Sequence, residues 1–325
     1  MGCDGSRRVE PGSGAATIRI IVIGATGHIG TFLVPRLVTA GHEVIAASRG
    51  AREPYQPHDA WAEVERLKID RINEEAAGSF GERIAAVEAD VVIDLICFTL
   101  ESAQHLVKAL AGRDVLLLHC GTIWVHGHST IVPTVESQPR TPFGDYGIRK
   151  AAIEAWLLNA ARDETIRAAV LHPGHLVGPG WAPLNPAGHF DSTVFTTLAN
   201  GDELLLPNLG METVHHVHAD DVARAFELAI TNPERANGES FHVVSPAAMT
   251  LRGYAEAMAA HFGKPARLGF LPWEEWRKTV TESQARATWD HIAHSPNCSI
   301  AKARERLGYA PRYTSIEAVI EAVHA

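Results

Sequence analysis

Thr122, Tyr146 and Lys150 bring a hydroxyl, a phenol and an ammonium to the middle of this 325-residue chain. Together these groups can move a proton to or from a carbinol oxygen while a hydride leaves or joins its carbon. Tyr146 and Lys150 stand four apart, so on a helix they project from one face. A nearby ammonium, with the positive ring of an oxidised nicotinamide, is expected to favour the phenolate and pull the phenol below its usual value of about 10. Tyr146 then serves as base toward an alcohol or acid toward a ketone, and Thr122, ending a buried strand, holds the substrate oxygen. Lys150 is also expected to hydrogen-bond the nicotinamide ribose. A tyrosine and a lysine four apart are a common accident, and position is what gives this pair weight.

The pair lies downstream of a glycine loop, Gly24, Gly27 and Gly30, with Thr26, His28 and Ile29 between them. The β-branched run 18–23 precedes the loop, and 31–40 follows it with helical spacing, closed by Gly41. Glycines there let the backbone turn tightly, approach a pyrophosphate and pack helix on strand, while the helix N-terminus offers free N–H groups. The second strand, 43–47, ends in Ser48, Arg49 and Gly50, with Arg52 close behind, where an acid would bind the ribose hydroxyl of NAD. A hydroxyl and guanidinium suit a 2′-phosphate, so NADP(H) is favoured over NAD(H). Ile96, closing the strand 91–96, is expected to border the same groove.

Further strands are predicted at 115–118, 168–171 and 241–244, and helices at 100–111, 145–162 and 220–231. Strands buried on both faces and alternating with helices specify an α/β fold, a doubly wound parallel sheet of the Rossmann type. Residues 178–217, dense in Pro, Gly and Asn, and the mostly helical 246–325 interrupt the rhythm. They are read as a smaller, discontinuous substrate-binding lobe, with the dinucleotide-binding domain formed by 17–177 and 218–245.

With 46% hydrophobic and 21% charged residues, the composition is that of an ordinary globular protein. A net charge of -9 without a Lys/Arg run argues against a nucleic-acid partner. Cys3, Cys97, Cys120 and Cys298 show no CxxC spacing, which points to a reducing cytoplasm. Residues 1–16 lack an apolar core and read as an unstructured tail; their match to an N-myristoylation pattern, Gly2 to Ser6, is taken as chance. No stretch is long and apolar enough to span a membrane.

In the order of its motifs the chain resembles the extended short-chain dehydrogenase/reductase family, the NAD-dependent epimerase/dehydratase group. The resemblance runs from the glycine loop through Asp70, the segment 122–127, the stretch 136–139, Pro142, Tyr146, Lys150 and Glu154, then 171–180 and 217–223. It implies Thr122, Tyr146 and Lys150 as catalytic trio, Asp70 near the adenine, Pro173 by the nicotinamide, and a homodimer built on the helix of Tyr146 and its neighbour. It also implies two arginines that grip a sugar-nucleotide diphosphate. The matching places here are Val214 and the neighbourhood of 294–297, so those charge-assisted contacts are missing.

His119, His126 and His128 near Cys120, and His215, His216 and His218, match no zinc spacing, and no metal is expected. If 122–126 stays extended, Thr122, Trp124 and His126 share one face beside the reacting carbon. Trp124 and His126, with His175 and Asn185, are the expected substrate contacts. The leading expectation is an NAD(P)-dependent oxidoreductase acting on a secondary alcohol or ketone of a polar, sugar-like small molecule without a nucleotide handle. A second is an epimerase or dehydratase that recycles its cofactor internally. A third is a non-catalytic dinucleotide-sensing or RNA-binding protein, in the manner of chloroplast stem-loop RNA-binding proteins, which the chain resembles through 92–96.

Overall fold

The computed structural model describes residues 17–324. The tail and its acylation pattern lie outside the described residues. The first half runs β1 (Arg19–Ile23), α1 (His28–Thr39), β2 (Glu43–Ser48), β3 (Glu65–Lys68), α2 (Arg71–Ala76), α3 (Phe80–Ala85), β4 (Val91–Asp94), α4 (Leu100–Leu110), β5 (Leu116–Cys120) and α5 (Gly144–Arg162). The chain continues through β6 (Arg167–Pro173), β7 (His175–Val177), α6 (Thr193–Asn200), β8 (Glu203–Pro207), β9 (Thr213–Val214), β10 (His216–His218), α7 (Ala219–Thr231), α8 (Pro233–Ala236) and β11 (Ser240–Val243). It ends with β12 (Met249–Thr250), α9 (Leu251–His261), β13 (Arg267–Leu271), α10 (Trp273–Trp276), α11 (Glu282–His294), α12 (Ala301–Leu307) and α13 (Ser315–His324).

Seven strands form one sheet in the order β11-β6-β5-β4-β1-β2-β3, every pair parallel. This is the expected doubly wound sheet. Alternation along the strands feeds two cores: Ile20, Val22, Val91 and Ile93 pack under α1 and α7, while Ile21, Ile23 and Val92 pack under α3, α4 and α5. Ile20 to Ile23 are all 0% exposed. At about 2–5 kcal/mol for each large-to-alanine change, this strand is the least replaceable in the sheet. The chain winds outward from β1 in both directions, so the β1 and β4 ends flank a crevice where an open α/β sheet takes its ligand.

A third core lies beyond the carboxyl ends of the strands. It joins Leu184, Phe195, Leu206 and Val214 to Tyr254, Met258, Trp276 and Val319. Parallel pairing of β13 with β8 links its two chain segments. Residues Ile300, Ala303, Leu307 and Tyr309 instead pack in the first core, beside Phe226 and Phe241. Among the described residues, no helix is long and apolar enough to cross a membrane.

Candidate active site

The glycine loop follows β1 and opens α1. Gly24 adopts φ +89°, and a Cβ there would meet Ile96 Cγ2 at 2.7 Å. A Cβ on Gly30 would run into the Ala25 backbone. The first glycine therefore allows the turn and the last lets helix approach strand. Gly24, Thr26, Gly27, Ser48, Arg49, Asp70 and Ile96 line a single cavity of 300 Å³, as does Arg52. Seven of the expected cofactor contacts thus meet in one groove, which suits a dinucleotide's adenosine half. Ile29 packs into the core. Asp70 caps α2, its Oδ1 accepting from the Asn73 amide at 3.3 Å. Pro173 is buried at the end of β6, opposite Val243, and the next residue, Gly174, reaches a cavity instead.

Arg71 and Phe98, not foreseen from sequence, line the groove too. Arg71 donates to both Asp94 oxygens at 2.7 and 2.9 Å and to Glu75 at 2.8 Å. Its signal was Asp94, an acid closing an apolar strand that had to find a counter-charge. Asp94, Cys97 and His119 come within 4.8 Å of one another. The guanidinium already occupies both Asp94 oxygens, leaving a cation no carboxylate to itself.

The three reactive groups come from two elements. β5 delivers Thr122 just beyond its end, and the first turns of α5 deliver Tyr146 and Lys150. The segment after Thr122 is not extended: 123–126 forms a 3₁₀ turn that Thr122 caps, its Oγ1 accepting from the Trp124 amide at 3.3 Å. With that lone pair engaged, the hydroxyl hydrogen is free to donate. The Thr122 amide donates to His172 Nδ1 at 2.9 Å, and His172 Nε2 donates to Glu154 Oε1 at 2.9 Å. Arg140 clamps Glu154 from the other side, at 2.9 and 2.6 Å. Thr122 is thus fixed by a buried chain of polar groups.

Tyr146 departs from expectation. Its ring is 43% exposed and meets Trp124 edge-on at 6.0 Å. Crowding at its hydroxyl end, then the Cys120 sulfur, push the phenol up to about 12, against a hydrogen bond from Thr122 that pulls it down. Lys150 is not among the groups that shift it. At 2% exposed, its Nζ donates to the Cys97 and Cys120 carbonyls at 2.8 and 2.7 Å and lies 4.8 Å from the Phe98 ring centre. Burial lowers its pKa below the ordinary lysine value. Of its three N–H donors, two are spent on the end of β5 and the segment after β4, leaving one for a ribose hydroxyl.

Thr122, Trp124, Tyr146 and His175 line a second cavity, of 190 Å³, together with Trp181 and Phe190. Those last two were missed; the visible signal was large aromatics in a Pro- and Gly-rich segment. His175 Nδ1 accepts from the His215 amide at 3.3 Å, which puts the proton of the neutral ring on Nε2, an atom without a partner. Burial, followed by His291 and His216, keeps His175 well below the usual histidine range. His291 and His294 are likewise held down to about 4 by burial, and His294 stacks on Trp124 at 4.1 Å.

Two expected substrate contacts are not brought to this cavity. The 3₁₀ turn swings His126 inward, where its Nε2 lies 2.8 Å from His242 Nε2. Asn185 is 0% exposed and spends its amide on its own loop, bonding His189, the Asp191 carbonyl and the Ala187 amide. His28 does not line the groove itself: its ring lies between Tyr55 and Trp181, with ring centres 5.7 and 4.6 Å away.

The model of the NAD dependent epimerase/dehydratase family matches residues 20–243. The chain belongs to this family. Among curated relatives it is similar to 2'-dehydrokanamycin reductase of Streptomyces kanamyceticus, at 28% identity over 85% of this chain and 76% of that protein. It is also similar to dTDP-6-deoxy-L-talose 4-dehydrogenase (NAD(P)(+)) of Kitasatospora kifunensis, at 26% identity over 94% and 95% of the two chains. UDP-glucose 4-epimerase of Thermotoga maritima, solved with UDP-glucose, superposes with a TM-score of 0.71 at 20% identity, over 94% of this chain and 98% of that one. At that identity the likeness speaks to fold. The chain is thus an NAD(P)-dependent enzyme of the extended short-chain dehydrogenase type. When bound, the nicotinamide supplies or accepts the hydride; the chain's groups hold the substrate oxygen and its proton.

Proposed function

We propose that this protein is an NADP(H)-dependent oxidoreductase that reduces a ketone, or oxidises the matching secondary alcohol, on a sugar-like molecule without a nucleotide. One observation carries the reading: Thr122, Tyr146 and His175 converge on a cavity whose lining contains no Arg, Lys, Asp or Glu. A diphosphate in such a cavity would find none of the charge-assisted bonds it needs. Val214 is buried at 0% exposure and His294 is occupied with Trp124, so neither replaces a missing arginine. The aromatic walls, Trp124, Trp181 and Phe190, suit the C–H face of a polyol.

In this mechanism Thr122 Oγ donates to the substrate oxygen, and Tyr146 Oη delivers its proton to that oxygen as the carbonyl becomes an alcohol. The high phenol pKa favours this direction at neutral pH, because the acid form is fully present. Lys150 ties the end of β5 to the segment after β4 and would hold the ribose with its remaining donor. The NADP(H) preference is supported by Ser48, Arg49 and Arg52 around one end of the groove, where neither arginine is in an ion pair among the described residues. The relative named for 2'-dehydrokanamycin supports reduction as the direction. A homodimer through α5, which leaves Ile148 51% exposed, and a cytoplasmic setting, in keeping with the free thiols of Cys97, Cys120 and Cys298, belong to the same proposal.

The test is NADPH and NADH titration by tryptophan fluorescence, followed by NADPH consumption with unphosphorylated keto sugars and with nucleotide keto sugars. Selective turnover of the first class is expected. The proposal fails if neither cofactor binds, if only nucleotide sugars react, or if Tyr146→Phe leaves turnover intact. Internal recycling is the second reading, favoured by the ring stack that fastens two loops at His28. Purified protein carrying dinucleotide, with no net nicotinamide absorbance change in turnover, would establish it.

A further inference from the structure

We propose that Tyr55, His28 and Trp181 form an aromatic clasp across the cofactor groove that must part before NADP(H) enters or leaves. Only the nicotinamide dependence of the chain is assumed, whichever reaction it performs. Tyr55 belongs to the β2–β3 connection, which also supplies Arg49 and Arg52 to the 300 Å³ cavity. Trp181 belongs to the β7–α6 connection and walls the 190 Å³ cavity beside Thr122 and Tyr146. A dinucleotide running from one cavity to the other crosses the glycine loop between them. His28, the first residue of α1, stands at that crossing.

The three rings form one stack. His28 and Trp181 lie 4.6 Å apart at 13°, and His28 and Tyr55 lie 5.7 Å apart at 22°. Tyr55 Oη also donates to the His28 carbonyl at 3.5 Å. The two loops touch directly as well: a Cβ on Gly180, which has φ +81°, would come 2.5 Å from Tyr55 Cδ2. Glycine is what lets the second loop lie flat on the first. His28 is 4% exposed, and neither ring nitrogen makes a hydrogen bond of ordinary geometry. Stacking therefore holds the ring, a contact strong enough to fasten the loops and weak enough to release them. Trp181 is the shared leaf: it stacks on His28 and also lines the substrate cavity.

The experiment uses the full chain and NADPH, or NADH if it binds more tightly. Stopped-flow fluorescence measures association directly and dissociation by chase with excess oxidised cofactor. Trp181→Ala and Tyr55→Ala, which open the stack from opposite sides, are each expected to speed dissociation and association by about five- to tenfold. Kd then moves less than either rate. Trp181→Phe, which keeps a ring over His28, restores both rates to within about twofold. Dissociation and association unmoved by both alanine variants overturns the clasp, even if the melting temperature falls. Faster dissociation with unchanged association also overturns it, because the rings would then be a cofactor contact and not a gate. Failure of both nucleotides to bind the unaltered protein overturns the clasp and the proposed function together; failure only of the rate effects leaves the proposed function standing.

Discussion

Replacing Glu154 by alanine removes the acceptor at the centre of the chain that fixes Thr122. The carboxylate is 3% exposed and takes bonds of 2.9 and 2.6 Å from Arg140 and of 2.9 Å from His172. Breaking a buried pair from one side costs about 3–5 kcal/mol. Arg140 keeps the carbonyls of Glu136 and Gln138 at 2.6 and 2.8 Å, which places the expected loss near the lower end, about 3 kcal/mol. The pH dependence fixes the cause. Burial raises the Glu154 carboxyl, but His172 and Arg140 override it and hold it well below the carboxylate range. A depressed folded value means a contribution that is complete above the unfolded value of about 4.3 and is lost as pH falls below it. Each unit below that point narrows the gap between the unaltered protein and Glu154→Ala by about 1.4 kcal/mol, the other carboxylates being common to both. Urea unfolding followed by tryptophan fluorescence at pH 7 and near pH 3.3 measures both. A loss under about 1 kcal/mol at pH 7, or an equal gap between the two proteins at both pH values, would refute the charge-pair account.

Other outcomes follow from the same geometry. With the Tyr146 phenol pushed up to about 12, ketone reduction should show no alkaline fall between pH 7 and about 9; a rate that halves across that range contradicts the proton assignment. Substituting Arg49 and Arg52 together by alanine should weaken NADPH by about tenfold or more while leaving NADH within about twofold, as read by fluorescence titration. Lys150→Met should cost about 2 kcal/mol or more in unfolding free energy besides abolishing turnover, because the Cys97 and Cys120 carbonyls lose their donor.

The sheet was legible in the sequence because strands buried on both faces write short apolar runs, β-branched in 18–23 and 91–96 and Ala-Ala-Val-Leu in 168–171. The adenosine end of the groove was legible for a related reason: its contacts sit at fixed distances after strands, as with Ser48, Asp70 and Ile96. The substrate end was less so. Trp124 and His175 reached the cavity, but His126 did not, since Thr122 caps a 3₁₀ turn that breaks the period of two. Asn185 was misread because an amide that braces its own loop looks, in sequence, the same as one that waits for a ligand. Arg71, Tyr55 and Trp181 depend on partners far along the chain, and spacing carries no such information. The Tyr146 phenol went the other way from expectation because burial of its hydroxyl end outweighs the other influences, and a four-residue spacing carries no information on burial.

The anchoring of Lys150 also changes how descent should be read in chains of this kind. Its ammonium staples the end of β5 to the segment that follows β4 and is almost sealed from water, so a lineage that abandons catalysis still has reason to keep it. Tyr146 has no such second employment: it is 43% exposed and can be lost without loosening the fold. A retired enzyme on this scaffold would keep the lysine and shed the tyrosine, and the phenol is therefore the more truthful witness that the chemistry is still in use.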